Sequence, residues 1–360
     1  MLYNLLYPLK QYFAPLNVLR YITFRSISAV ITAFLITLII GPAIIRWLEK
    51  KQVKQVIRDD GPEQHFTKKG TPTMGGLMML LSITISVILW SDMTNKYVYL
   101  ALFTTLSMGL LGFVDDYKKV KEGSSKGVSG KIKLIVQGVV GFIIGYFIYT
   151  DPSYQTGFAI PFLKFVEKYW SLGFFMIPFV ILVISGTSNA VNLTDGLDGL
   201  AIGPVMSATA VFAILCYATG NIKIANYLQI PYVAGVGELS IFCSAMIGAG
   251  MGFLWFNAYP ALVFMGDTGS LSLGAALGVI ALLSKHPFLL IIAGGVFVAE
   301  ATSVIVQVIS FKLTGKRVFR MAPIHHHFEK KGGFETHIVI RFWIASAVLA
   351  LLSLATLKLR

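Results

Sequence analysis

Long apolar stretches alternate with short polar segments along the whole chain. A bilayer core takes roughly 20 consecutive apolar residues per helix. Ten stretches approach that length with almost no charge: 27–45, 70–91, 97–114, 134–150, 169–188, 199–218, 239–256, 268–283, 287–311 and 342–357. The pattern predicts an all-α, polytopic integral membrane protein with ten transmembrane helices. Residues 1–25 are aromatic and mildly basic, which suits an interfacial segment. They lack a small-residue cleavage site, so a removable signal peptide is not expected. No soluble domain or internal repeat interrupts the pattern, and 1–360 reads as a single membrane domain.

The polar segments set the orientation. Segments 50–73, 115–133 and 312–341 hold 19 of the 30 Lys and Arg residues. The segments of opposite parity (92–96, 151–168, 219–238 and 284–287) hold only five. Short loops rich in Lys and Arg stay cytoplasmic. An even number of spans then puts both termini on the periplasmic side.

Composition narrows the class. The mean hydropathy is +0.73 and 56% of residues are hydrophobic, which excludes a disordered chain and an ordinary soluble globule. The formal charge of +13 would suit a nucleic-acid binder, but it sits on a membrane-buried body, so no nucleic acid is expected. Cys216 and Cys243 both lie in apolar runs and read as small core residues rather than a disulfide or zinc site.

Polar groups at membrane depth are costly and mark function. GFVDDYKK (112–119) sets Asp115 and Asp116 at the end of the third span, where a solvated helix end is the ordinary explanation. SNAVNLTDGLDGLA (188–201) crowds Asn189, Asn192, Thr194, Asp195 and Asp198 between two apolar runs. One helical turn would put Asp195 and Asp198 on a common face. FMGDTGSLSLG (264–274) places Asp267 before a small-residue helix, as an N-cap or at an anion-binding helix start. Five aspartates from three loops thus meet one membrane boundary.

Two further motifs lie on the same side. MAPIHHHFEKKGGFET (321–336) carries His325, His326 and His327. No Cys accompanies them and adjacent side chains diverge, so phosphate hydrogen bonding or proton transfer suits them better than a transition metal. KKGTPTMGG (68–76) offers lysines and threonines for phosphate, and a Gly pair for close helix packing.

A carboxylate set without Cys suits a hard cation such as magnesium. Lysines beside it suit a pyrophosphate whose P–O bond is breaking. Together they point to phosphoryl transfer at the cytoplasmic face, between a charged nucleotide conjugate and a lipid-soluble acceptor. A Walker A motif is absent from the sequence, which argues against an ATP-driven pump.

The three aspartate motifs, in this order among ten spans, resemble the polyprenyl-phosphate N-acetylhexosamine 1-phosphate transferases. TPTMGG and PIHHHFE resemble the muramoyl-pentapeptide branch of that family, and the resemblance runs from Thr71 to Glu329. It implies transfer of phospho-MurNAc-pentapeptide from UDP-MurNAc-pentapeptide to undecaprenyl phosphate, giving lipid I and UMP, with Mg2+ as cofactor in the bacterial inner membrane. It also implies a homodimer. By match to the family motifs, Asp115, Asp116 and Asp267 form the catalytic acidic set, with magnesium on Asp267 first. Asp115 or Asp116 would activate the lipid phosphate or act as nucleophile. Asn192, Asp195 and Asp198 would line the nucleotide-sugar site. Lys68, Thr73, Lys119, Lys131 and Lys133 would meet phosphate or uridine, Phe264 would stack on uracil, and the three histidines would face phosphate or the sugar-peptide.

Two other readings compete. A GlcNAc-1-phosphate transferase of the same family would differ at PIHHHFE. A cation-coupled transporter would carry its acids near the bilayer midplane, where Glu300 is the clearest candidate. Direct attack by the lipid phosphate and a phospho-aspartyl intermediate both fit the sequence, and direct attack is favoured because the lipid phosphate is already a competent nucleophile.

Overall fold

The structure is a computed structural model that describes residues 1–51, 53, 70–124, 126–151, 154, 157–163 and 172–358. Its long helices are α1 (Ile22–Lys50), α2 (Gly76–Trp90), α3 (Lys96–Glu122), α4 (Gly130–Thr150), α5 (Met176–Thr194), α6 (Ile202–Thr219), α7 (Leu239–Asn257), α8 (Gly266–Leu283), α9 (Gly295–Thr314) and α10 (Glu335–Ala355). Among the described residues, nine are long and apolar enough to cross a membrane, and α2, at 15 residues, is a shorter apolar helix. Helices suit lipid because each satisfies its backbone polar groups internally.

α8 is the buried axis of the fold. Every residue from Thr268 to Leu283 is buried. Small residues let three neighbours close on it. A Cβ on Gly76 of α2 would fall 2.2 Å from the Gly269 amide nitrogen, and one on Gly112 of α3 2.2 Å from the Asp267 carbonyl oxygen. On α8 itself, a Cβ at Gly274 would fall 2.5 Å from the Thr187 carbonyl of α5. The starts of α2 and α8 and the ends of α3 and α5 therefore converge at one end of the bundle.

At the opposite end, Arg25 of α1 donates to both carboxylate oxygens of Glu238, at 2.7 and 2.6 Å. The same carboxylate accepts from the Asp92 amide at 2.9 Å. This pair ties α1 and the α2–α3 turn to the start of α7.

Three local expectations change. α3 does not stop at Asp115–Asp116 but runs on to Glu122, where Gly123 at φ +57° ends it. The aspartates therefore lie inside a helix whose last turns carry Lys119 and Lys121 toward the helix C-terminus, where cations are favoured. The stretch 287–311 is broken at Gly294 into Leu289–Ala293 and α9. Asp195 and Asp198 do not share a helical face, because α5 ends at Thr194 and the backbone turns at Asp195.

Candidate active site

Two helical turns of α3 carry three of the charged groups. Asp115 and Lys119 are spaced i, i+4 and face each other, with Lys119 Nζ 2.6 Å from Asp115 Oδ2. Asp115 is fully buried. Its Oδ1 accepts from the Val128 amide at 2.7 Å and lies 3.0 Å from Lys133 Nζ. Gly127, at φ +55°, makes that approach possible, since a Cβ there would sit 2.6 Å from Asp115 Oδ1.

Asp267 stands in the first turn of α8, opposite this group. Its Oδ2 lies 2.6 Å from Lys133 Nζ and 3.1 Å from Lys119 Nζ. Its Oδ1 accepts from Asn192 Nδ2 of α5 at 3.0 Å. Asn192 also donates to Ser270 Oγ at 2.8 Å, which fixes the amide between the two helices. Asp267 is not itself the N-cap of α8, contrary to one sequence expectation. That role falls to Asp116, whose Oδ1 accepts from the Asp267 amide at 3.1 Å and whose Oδ2 accepts from the Thr268 amide at 2.9 Å. The Thr268 hydroxyl donates to the same Oδ2 at 2.7 Å.

One carboxylate oxygen from each of Asp115, Asp116 and Asp267 lies within 4.8 Å of the other two. The cluster holds three carboxyl groups and two ammonium groups, which pair with Asp115 and Asp267, so its formal charge is negative. The donors are all oxygen, which fits magnesium. The lysine ammoniums already bridge the acids where positive charge is favoured.

The motif around Asp195 borders the site. Asp195 caps the end of α5. Burial, then the charges of Asp267, Asp116 and Asp198, push its carboxyl up to about 8. Asp198 is buried and structural in its contacts. Its Oδ2 accepts from the Ala261 amide at 3.0 Å, and its own amide donates to Glu335 Oε1 at 2.9 Å.

TPTMGG lies alongside FMGD. The Phe264 amide donates to the Pro72 carbonyl at 2.9 Å, and the Gly75 amide to the Phe264 carbonyl at 2.8 Å. Thr73 is thereby placed beside Gly266, where a Cβ would meet Thr73 Oγ1 at 3.0 Å and Asp116 Oδ2 at 2.6 Å. The Phe264 ring is half-buried. Lys131 is exposed, on the other side of α4 from Lys133. Lys68 lies outside the described residues.

The histidines occupy a short helix, Ile324–Glu329, and their environments differ. His325 is fully buried, with Nδ1 3.1 Å from Glu300 Oε1 of α9. Its ring packs on the Asp195–Gly196 turn, since a Cβ on Gly196 would sit 2.2 Å from Nε2. His326 Nδ1 is 2.6 Å from Glu329 Oε2. His327 Nδ1 accepts from the Arg320 amide at 3.1 Å. Partial burial and the charges of Lys331 and Arg320 hold His327 below its usual range.

Sequence reasoning did not single out Thr268, Ser270, Asn257 or Glu335. Asn257 accepts from the Gly199 amide at 3.0 Å and donates to the Val263 carbonyl at 2.8 Å. The signal for Thr268 and Ser270 was present, as hydroxyls opening an otherwise apolar helix. Asn257 and Glu335 each look like an ordinary span end, and only the fold gives them partners.

Residues 98–285 match the model of the family described as glycosyl transferase family 4. The chain is 55% identical over 361 residues to a phospho-N-acetylmuramoyl-pentapeptide-transferase of Desulfotalea psychrophila, with 100% of both chains covered. It is 56% identical over 360 residues to the protein of that name from Citrifermentans bemidjiense, again with 100% of both covered. The corresponding protein of Geobacter sp. is 55% identical over 360 residues, with the same coverage.

Proposed function

The chain belongs to the phospho-N-acetylmuramoyl-pentapeptide-transferase family, and from that membership we infer that it transfers phospho-MurNAc-pentapeptide to a lipid carrier, the first membrane step of peptidoglycan synthesis. The donor in this reading is UDP-MurNAc-pentapeptide, the acceptor is undecaprenyl phosphate, and the products are lipid I and UMP. The observation that carries it is the convergence of Asp115, Asp116 and Asp267 with Lys119 and Lys133.

Asp267 and Asp115 are the carboxylates that would hold magnesium, with Asp116 behind them. When bound, the cation offsets the charge of the pyrophosphate and of the incoming lipid phosphate. Lys119 and Lys133, released from the acids, meet the phosphate oxygens on which negative charge develops. Asn192 holds Asp267 in orientation. Asp195, neutral near pH 7, offers a proton donor at the rim, and His325 closes the same side.

Direct attack by the lipid phosphate is the step this arrangement favours. Asp116 spends both oxygens on the start of α8. Asp115 and Asp267 are each held by two lysines and by a neutral N–H donor. A carboxylate so restrained is a poor nucleophile but a sound cation ligand.

The basic segments 115–133 and 312–341 lie at the same end as the acids, which supports a cytoplasmic active site in a bacterial inner membrane. Ten spans, periplasmic termini and a homodimer complete the proposal. The test is magnesium-dependent UMP release from the UDP substrate with undecaprenyl phosphate, with Asp115→Asn, Asp116→Asn and Asp267→Asn side by side. Each is expected to lose about 100-fold or more. Wild-type rates in all three would overturn the site.

A further inference from the structure

A basin of mixed cationic and apolar lining lies at the same end of the bundle but uses none of the catalytic groups. It is a cavity of about 550 Å³ between the end of α9 and the segment that follows it. Lys312, Arg317, Arg320 and Lys330 line it together with Val304, Val308, Phe311 and Met321. Its lining contains four cations and no acid, and among the described residues no carboxylate lies within ion-pair distance of any of the four. On the bilayer side, α9 leaves Ile305, Val308 and Phe311 exposed.

The basin is built rather than accidental. Gln307, one of its lining residues, fastens the cationic segment to α9. Its Oε1 accepts from the Val318 and Phe319 amides at 3.0 and 2.9 Å, and its Nε2 donates to the Phe319 carbonyl at 3.1 Å. Arg320 then reaches across to donate to the Lys330 carbonyl at 2.8 Å. Basic residues at a membrane boundary also set orientation, but that needs neither a cavity nor a side chain fixing the loop.

We propose that this basin binds the anionic headgroup of a membrane phospholipid, and that the bound lipid braces the short His helix. A phosphodiester meets the four cations while its acyl chains lie along the exposed face of α9. The brace follows from Arg320, whose amide donates to His327 Nδ1 at 3.1 Å and whose side chain holds Lys330, at the end of Ile324–Glu329. The same helix carries His325 onto the Asp195–Gly196 turn. The binding claim stands independently of the transfer reading, since its readout is lipid binding.

The experiment titrates the purified full-length protein in neutral detergent with dioleoylphosphatidylglycerol and dioleoylphosphatidylcholine, scoring bound lipids by native mass spectrometry. The anionic lipid is expected to bind roughly tenfold or more tightly than the zwitterionic one. Arg317→Gln combined with Arg320→Gln abolishes the preference, and so does Gln307→Leu. Lys316→Gln, on the same segment but outside the lining, retains it. The arginines are exposed, so the double variant decides the matter if Gln307→Leu fails to fold. Hydrogen exchange at residues 324–329 slows on adding phosphatidylglycerol to wild type and not to the double variant. Equal binding of the two lipids, equal loss in Lys316→Gln, or unchanged exchange overturns the proposal. So does displacement of the bound lipid by inorganic phosphate, which marks a free-anion site, or by undecaprenyl phosphate, which marks the acceptor's own site.

Discussion

Asp116 of α3 holds Thr268 of α8 through one oxygen, which accepts both the Thr268 amide at 2.9 Å and its hydroxyl at 2.7 Å. The first amides of a helix lack intrahelical partners, and here a neighbouring helix supplies the acceptor. The helix that presents Asp267 is thus located by the residue next to Asp115. Adjacent carboxylates divide the work: one faces the lysines, the other fixes where the third acid stands.

Removing that acceptor should cost stability as well as activity. Asp116→Ala is expected to lose about 1–3 kcal/mol, the range for stranding buried donors or losing a cap. Thr268→Val, which removes only the hydroxyl, should lose about 1 kcal/mol. Thermal unfolding in detergent measures both. An Asp116→Ala protein with wild-type stability would show that the cap is dispensable.

The approach of α3 to α8 depends on Gly112. A Cβ there would lie 2.2 Å from the Asp267 carbonyl oxygen, which is backbone and cannot swing aside. Gly112→Ala should push the helices apart, at about 1–3 kcal/mol for overpacking, and separate the acids. Gly138→Ala in α4, where nothing lies within 4 Å of the added carbon, is the control. UMP release should collapse in the first and hold in the second.

Among the described residues, the sequence pattern located the nine helices long and apolar enough to span a bilayer and the shorter α2, because a hydrocarbon core about 20 helical residues thick is written directly into composition. The three aspartate motifs were legible as separate boundary features. The resemblance already grouped Asp115, Asp116 and Asp267 as one acidic set; the packing that brings them together was not legible, because it depends on Gly76, Gly112 and Gly274, whose meaning appears only when α8 passes through the centre. A division of roles between Asp115 and Asp116 was open to sequence reasoning, because successive helical residues point about 100° apart; which of the two faces the lysines and which holds the start of α8 was not. Asp195 and Asp198 illustrate a failure of spacing: i, i+3 means proximity only within a helix, and α5 ends one residue too early. The motif at PIHHHFE, together with full-length identity above half to the pentapeptide transferases, separates this chain from the GlcNAc-1-phosphate and transporter readings.

Asp195 gives a pH test. Its carboxyl is raised to about 8 in the fold, from an ordinary value near 3.8. Between those values the native protein keeps a proton that the unfolded chain has lost. Its contribution to stability is therefore complete below about pH 4 and fades as pH rises toward 8. Asp195→Asn cannot lose a proton there. Its melting temperature should gain on wild type from pH 5 to pH 8 and level off above. Parallel curves would show that Asp195 ionises normally.

Lys133 gives the sharpest test of the site, because binding and turnover should move in opposite directions. Its ammonium lies 2.6 Å from Asp267 Oδ2 and 3.0 Å from Asp115 Oδ1, on the two carboxylates proposed to hold magnesium. Lysine and metal therefore compete for the same carboxylates. In Lys133→Met the competitor is gone and the site is more negative, so magnesium binds more tightly by titration calorimetry. The positive charge that met the phosphates is also gone, and removing such a group from a reacting centre typically costs about 100- to 1000-fold. UMP release should fall by that order even at saturating magnesium. Chelation should abolish the residual rate and added magnesium should restore it. If Lys133→Met weakened magnesium binding instead, the lysine would be organising the acids rather than competing for them, and the assignment of Asp267 and Asp115 to the cation would fail.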